Sequence, residues 1–218
     1  MISLFVATGS AHKLREIRSG LGPGVTLYSI RDVVEPITPV EDAATFTENA
    51  AIKSVAWARY LAERPAKFTA DFVLADDSGL EVDALGGQPG VHSARFAALD
   101  DGRVGNSPDA ENNTKLIRLL AEVPLERRQA RFRCVLALTP ASLLPAANLA
   151  AQTRFFSGTC EGHLSREPVG AGGFGYDPLF VPEGYRESFA ELGPSTKDQI
   201  SHRARALKAL RTALNLSA

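Results

Sequence analysis

The chain has 218 residues, 44% of them hydrophobic, and 24 Lys and Arg against 25 Asp and Glu give a formal net charge of -1. That content suffices for a sizeable core in one domain spanning residues 1–218, and the balanced charge excludes the long-range field that draws basic proteins to nucleic acid or anionic membrane. No apolar run approaches the length of a membrane span and no secretory leader pattern opens the chain, so the expectation is a cytoplasmic protein without a membrane or nucleic-acid partner.

"ISLFVA" reads as a short buried strand, "TGS" as a turn and "AHKLREIRSGL" as a helix with Leu14, Ile17 and Leu21 at helical spacing. "VTLYSI" is a second strand, and the Pro-rich, acidic stretch "VVEPITPVEDAA" leads into a long helix over about residues 45–62. Thr45 and Glu48 at its start have the spacing of a capping box. "ERPAKFTA" is expected to break that helix as an exposed loop. "VLADDSGLEVDALGG", residues 73–87, predicts a buried strand that stops at Asp76 and Asp77 in a Ser78-Gly79 turn.

"DAENNTKLIRLLAEV" reads as a further helix, and "ARFRCVLALTP" and "AAQTRFFSGTCEGHL" as two long strands joined by a loop. Cys134 and Cys160 lack CxxC spacing, lie in these strands and read as small buried hydrophobes. After the glycine cluster "GAGGFGYDP", one final helix is predicted to reach about residue 214, with Ile200, Ala204, Leu207, Leu210 and Leu214 as its apolar stripe. Helices interleaved with alternating and continuous apolar strands predict an α/β fold with a mixed sheet.

Four constellations carry chemistry. In "VATGSAHK" the strand-turn-helix step offers free N–H groups at a helix start, a preferred place for phosphate, although the Walker A pattern is absent. Lys13 stands in the first turn, where a cation opposes the helix dipole unless an anion binds. Asp76, Asp77 and Glu41 form the second. Adjacent carboxylates about 5 Å apart repel by roughly 3 kcal/mol at an effective dielectric near 20, and Mg2+ held by one or two carboxylates plus substrate phosphates would offset that. An Asx-type turn is the alternative for Asp77 and Ser78.

Third, Thr45, Asn49 and Lys53 recur every four positions on one helix face; alone they read as a solvated stripe, but Glu41 upstream could aim Lys53 at the carboxylates. Fourth, "STKDQISHRARAL" places Lys197, His202 and Arg203 in the opening turns of a helix, and Phe174 or Tyr176 of the glycine cluster could stack on a flat ring or fill the core.

"VATGSAHKLREI", "ADDSGLEVDALGGQPGVHSARF", "GGFGYDPLFVP" and "STKDQISHRARAL", in this order along nearly the whole chain, resemble the inosine/xanthosine triphosphate pyrophosphatase (Ham1-like) family. The resemblance implies an elongated mixed β-sheet with flanking helices, two lobes around a central nucleotide-binding groove, and a homodimer. It implies Mg2+-dependent hydrolysis of ITP, dITP or XTP to the monophosphate and pyrophosphate, which cleanses the nucleotide pool. By motif, Thr8, Gly9, Ser10, Ala11, His12 and Lys13 would hold phosphates, and Asp77 would be general base and, with Glu41, metal ligand. Ser78, Phe174, Gly175, Tyr176, Asp177, Lys197, His202 and Arg203 would contact substrate, and Asp76 would support the metal site from behind or as an outer-sphere ligand. Ser10 stands where the family often has Asn, and Ala43-Ala44 where it often has more polar residues. A Maf-like pyrimidine nucleotide pyrophosphatase and a non-catalytic nucleotide-binding regulator are the competing readings.

Overall fold

A computed structural model describes residues 2–64, 69–141 and 145–216. Its six strands, β1 (Ile2–Val6), β2 (Val25–Ser29), β3 (Phe72–Val82), β4 (Gln129–Pro140), β5 (Arg154–Leu164) and β6 (Phe180–Pro182), lie in the order β2-β1-β3-β4-β5-β6. The expected mixed α/β sheet is present: β1 is parallel to β2 and β3, and β5 is antiparallel to β6. The helices are α1 (Ala11–Leu21), α2 (Phe46–Ala62), α3 (Asp109–Leu119), α4 (Ala146–Gln152), α5 (Phe189–Ile200) and α6 (His202–Ala213).

The chain divides into two compact units. The first comprises Met1–Asp77, Cys134–Gly158 and Arg203–Ala218. Strand alternation sorts its core into two layers. Leu4, Val6, Leu74, Leu136 and Leu138 pack with Ile17 and Leu21 of α1 and Leu207 and Leu210 of α6. Phe5, Ala7, Val73 and Ala75 point the other way, onto Trp57 and Ala58 of α2 and Leu149 of α4. The Trp57 indole is fully buried, its ring 5.0 Å from Phe5 and 5.2 Å from Tyr60.

The second unit comprises Ser78–Arg133 and Thr159–His202. Leu80, Val82, Phe132, Cys160, Leu164 and Phe180 form its core with Leu116 of α3, Leu120 just after that helix, and Phe189 of α5.

Three sequence expectations are corrected. β3 does not end at the carboxylates but runs through Ser78 and Gly79 to Val82. Leu80 and Val82 are fully buried beyond the glycine, and a turn at residues 78–79 would withdraw both from the core. Between β4 and β5, the seven-residue helix α4 replaces part of the expected loop and of the expected strand start, because its Leu149 finds a fully buried place against α2. The single C-terminal helix is two. Gly193, at φ 72, kinks α5 just before Pro194, and Ser201, at φ -67 and ψ 162, separates α5 from α6. Ile200 therefore packs on the second core cluster, while Leu207, Leu210 and Leu214 of the same predicted stripe pack on the first. The loop expected at "ERPAKFTA" falls partly on residues 65–68, outside the described residues.

Candidate active site

β1 delivers the chain into the turn at Thr8, Gly9 and Ser10, and Ser10 caps α1: its hydroxyl accepts from the Lys13 amide at 3.3 Å. The Thr8 hydroxyl accepts from the Ser10 amide at 3.2 Å, which stiffens the turn. Thr8 is buried, Gly9, Ala11 and His12 are exposed, and Lys13 is half-buried. The first turn of α1 holds no acidic residue. The anion that Lys13 meets in this structure comes from β3, where Asp76 Oδ1 lies 2.6 Å from Lys13 Nζ.

Because β3 continues as a strand, Asp76 and Asp77 point to opposite faces of the sheet rather than sharing one. Asp76 lies on the face of Leu74, fully buried with Lys13, Arg203 and Cys134. Arg203 Nε donates to Asp76 Oδ2 at 2.8 Å and Nη2 to Oδ1 at 3.3 Å, the Cys134 thiol donates to Oδ2 at 3.2 Å, and the third guanidinium nitrogen pairs with the buried Glu16. Burial alone would raise the Asp76 carboxyl, but the Arg203 and Lys13 cations outweigh it and hold the group well below the usual carboxylate range.

Asp77 lies on the face of Val73 and Ala75, beneath α2. Lys53 Nζ is 3.7 Å from its Oδ1, 2.7 Å from Glu41 and 3.0 Å from the Asp76 carbonyl oxygen, which it donates to. Asp77 Oδ2 is buried and has no hydrogen-bond partner among the described residues. Burial pushes the Asp77 carboxyl up to about 6, against the pull of Lys53 and Lys13, and Glu41 and Asp76 push in the same upward direction.

Local structure explains how Glu41 arrives there. Thr45 caps α2, accepting from the Glu48 amide at 3.2 Å, and one turn on Asn49 bonds both backbone groups of Ala43, at 3.0 and 3.3 Å. The stripe Thr45, Asn49, Lys53 is thus cap, loop anchor and carboxylate partner rather than a solvated face. Asn49 grips Ala43 through its backbone, so the apolar pair Ala43-Ala44 does not weaken the anchor.

Among the described residues no group of three or more His, Cys, Asp or Glu is assembled to hold a metal. The two carboxylates Glu41 and Asp77, both within 4 Å of one ammonium, with Asp77 Oδ2 lacking a hydrogen-bond partner among the described residues, nevertheless fit the hard-oxygen set that Mg2+ takes when phosphates complete its shell.

In the second unit the glycine cluster is a tight loop ordered by Asp177. Its Oδ2 accepts from the Phe174 amide at 2.9 Å and from Lys197 Nζ at 2.5 Å, and a side chain on Gly173 would collide with that carboxylate. Lys197, in the turn after the Gly193 kink, thereby has its negative partner within the protein, and its Nζ also lies 4.2 Å from the Phe174 ring centroid. Phe174 and Gly175 are half-buried. Tyr176 is a core residue, its hydroxyl donating to the Ser93 carbonyl at 2.8 Å, so of the two aromatics only Phe174 keeps an accessible ring. His202 is buried and stacked on Phe132, with centroids 4.8 Å apart, and Ser78 is half-buried in β3.

Sequence reasoning did not single out Glu16, Cys134, Asp109 or Asn113 for the site. Glu16 meets Arg203 across 187 residues, and like the others it is joined to its site partner only by the fold.

A mixed α/β sheet with a capped, phosphate-suited turn after its first strand, and two carboxylates set against a lysine on a neighbouring face, defines an α/β protein equipped for acid-base work beside an anion. The Ham1 family model matches residues 4–213. A dITP/XTP pyrophosphatase of Geobacillus kaustophilus is 43% identical over 211 residues, covering 96% of this chain and 93% of its own, and one of Desulforamulus reducens is 43% identical over 216 residues, covering 98% and 96%. The structure of a HAM1 protein from Coxiella burnetii superposes with a TM-score of 0.80 at 34% identity over 100% of both chains. The chain belongs to the Ham1 family.

Proposed function

We propose that this protein is a nucleoside-triphosphate pyrophosphatase that hydrolyses non-standard purine nucleotides, ITP, dITP and XTP, to the monophosphate and pyrophosphate with Mg2+. The observation that carries the reading is Asp77, a buried carboxylate with one oxygen lacking a hydrogen-bond partner among the described residues, raised to about 6 and placed beside Glu41 and Lys53. A group poised near neutral pH in a water-poor setting is suited to take a proton from an attacking water.

In the reaction Asp77 accepts that proton, the water oxygen bonds to the α-phosphorus, and the bond from the α-phosphorus to the bridging oxygen breaks, so that pyrophosphate leaves with the electron pair. The turn of Thr8, Gly9, Ser10, Ala11, His12 and Lys13 binds phosphate oxygens through backbone amides other than those of Thr8, Ser10 and Lys13, which are bonded locally, and through the Lys13 ammonium. Glu41 and Asp77 would hold Mg2+, which when bound neutralises phosphate charge as a Lewis acid. Lys53 keeps the two carboxylates from repelling one another before substrate arrives.

In the second unit, Phe174 offers a ring face to the purine, while Ser78, Gly175, Tyr176, Asp177, Lys197 and His202 shape or contact the nucleoside site. Arg203, wrapped by Asp76 and Glu16, fixes the start of α6. Bases with an oxygen at position 6 are favoured over adenine, because donors built for that oxygen would be left unpaired against an amino group. A homodimer in the cytoplasm completes the proposal, and light scattering in solution tests the dimer.

Pyrophosphate release from dITP, XTP, GTP and ATP, with Mg2+ and with EDTA, tests the function. Rapid metal-dependent release from dITP and XTP, with ATP slower by orders of magnitude, is expected. Equal rates on ATP and dITP would overturn the base selectivity, turnover confined to dTTP or UTP would favour the pyrimidine reading, and binding without turnover would favour the regulator.

A further inference from the structure

Helix α3 carries Asp109 and Asn113 one turn apart, on one face, and both grip the same residue. Asp109 Oδ2 accepts from the Gly175 amide at 2.6 Å, and Asn113 Nδ2 donates to the Gly175 carbonyl at 3.0 Å. Gly175 has φ +61, in the left-handed region, so the loop turns at the residue held from both sides. Its flanks are held as well: the Phe174 amide by Asp177, and the Tyr176 carbonyl by the amides of Leu179 and Phe180 at 3.0 and 3.1 Å. With that backbone fixed, the Tyr176 ring enters the core and Phe174 stays half-buried against Lys197.

The neighbouring Asn112 shows that α3 distributes its amides by direction. It bonds the Ala97 amide at 2.8 Å and the Ala94 carbonyl at 3.4 Å, in a different segment of the same unit. Asn113 is buried, and its Oδ1 has no hydrogen-bond partner among the described residues. The satisfied half of the Asn113 amide is therefore the one turned to Gly175.

We infer that Asp109 and Asn113 are positioning residues that clamp Gly175 and thereby set the pose of the Phe174 ring on which the base rests, and with it the register in which position 6 of the base meets its donors. The inference rests on the proposed function in taking that ring as the base platform. Neither residue touches the substrate; each acts through Gly175, and small misplacements of a binding group are felt strongly in turnover of the correct substrate.

The experiment compares Asn113→Ala, Asp109→Ala, Asp109→Asn and Asn112→Ala with the wild-type protein, using dITP and ATP turnover with Mg2+, Tm, and hydrogen exchange of the Gly175 amide without nucleotide. The alanine variants at 113 and 109 should raise KM for dITP about tenfold with kcat within about twofold, and narrow the preference for dITP over ATP by a similar factor. Asp109→Asn keeps an oxygen for the Gly175 amide and should stay within about threefold of wild type. Asn112→Ala should lower Tm and leave KM and preference as they are. Gly175 exchange should quicken at least about tenfold in the two clamp alanine variants alone. Wild-type KM and preference in both alanine variants overturn the role in base selection, and unchanged Gly175 exchange overturns the clamp itself. A wild-type protein inert to dITP and XTP overturns the functional reading, a result told apart from loss of the clamp because the exchange measurement needs no nucleotide.

Discussion

Asp76 and Asp77 are consecutive in β3, and the strand sends them to opposite layers of the first unit. On one face, Asp76 has both oxygens occupied by Lys13, Arg203 and the Cys134 thiol, with Glu16 balancing the second cation. On the other, Asp77 faces one lysine at 3.7 Å and keeps an oxygen without a partner among the described residues. Burial disfavours both charges, and the partners decide the outcome: one carboxyl is driven far down, the other ends near 6. A saturated buried carboxylate is a scaffold, because nothing can be added to it; an unsaturated one stores the capacity to take a proton or a cation.

The sharpest way to break this contrast is Asp77→Asn. Turnover of dITP should fall by about three orders of magnitude while KM changes little, because the isosteric amide keeps the shape and loses the base. Stability should move in the opposite direction. A carboxyl whose folded-state value is raised binds its proton more tightly in the fold than in the unfolded chain, so wild-type stability falls as pH rises from about 4 to about 6 and stays reduced above. Removing that charge should raise the stability of metal-free protein at pH 7.5 by on the order of 2 kcal/mol, read from urea unfolding in EDTA. An Asp77→Asn protein as active as wild type, or less stable than it, would contradict the assignment.

The matching change on the saturated face, Asp76→Asn, should act in reverse order. It leaves the buried Arg203 and the half-buried Lys13 with one countercharge removed, and breaking such a network costs about 3 to 5 kcal/mol. Denaturant unfolding should show that loss at every pH above 5. Activity should decline through a higher KM as Lys13 loses its support, and a variant as stable as wild type would show that the two faces are not distinguished by saturation.

A smaller effect concerns pH. With Asp77 as the base, kcat/KM on dITP should drop on the acid side, through about 6 at limiting Mg2+ and at lower pH once Mg2+ is held at the carboxylate, and Glu41→Gln, which removes a carboxylate that raises Asp77, should move the limiting-Mg2+ limb downward. An acid limb unmoved by Glu41→Gln, measured at saturating Mg2+ and again at limiting Mg2+, would remove Glu41 from the electrostatic account.

What could be read in the chain follows the range of the interaction involved. The Ser10 cap, the Thr45 start of α2 and the alignment of Asn49 and Lys53 rest on contacts a few residues apart, and local spacing reports them. The passage of β3 through Ser78-Gly79 could not be read that way, since Ser-Gly is ordinary turn chemistry and only the burial of Leu80 and Val82 overrides it. The partners of Asp76 are 58 to 127 residues distant, and the Gly175 clamp reaches 62 and 66 residues along the chain. The break at Ser201 was hidden by a helical stripe that continues across it in sequence, although its members belong to two cores.

The weakest contact on the saturated face provides the finest test. Burial pushes the Cys134 thiol well above its usual value, and the Asp76 charge adds to the push, so the group stays protonated and able to donate to Asp76 Oδ2. Cys134→Val fills nearly the same volume without a donor, and Cys134→Ser keeps a donor on a shorter bond. If the thiol contributes only packing, the valine variant should be the more stable of the two, since a serine hydroxyl brings its own cost of burial. If the hydrogen bond matters, the serine variant should match or exceed it, with a coupling to Asp76→Asn of about 0.5 to 1 kcal/mol in a double-mutant cycle. We expect the second result, because a carboxylate held by two cations at fixed angles still has a lone pair directed at β4, and leaving it empty in a dry core has a cost that a weak donor relieves.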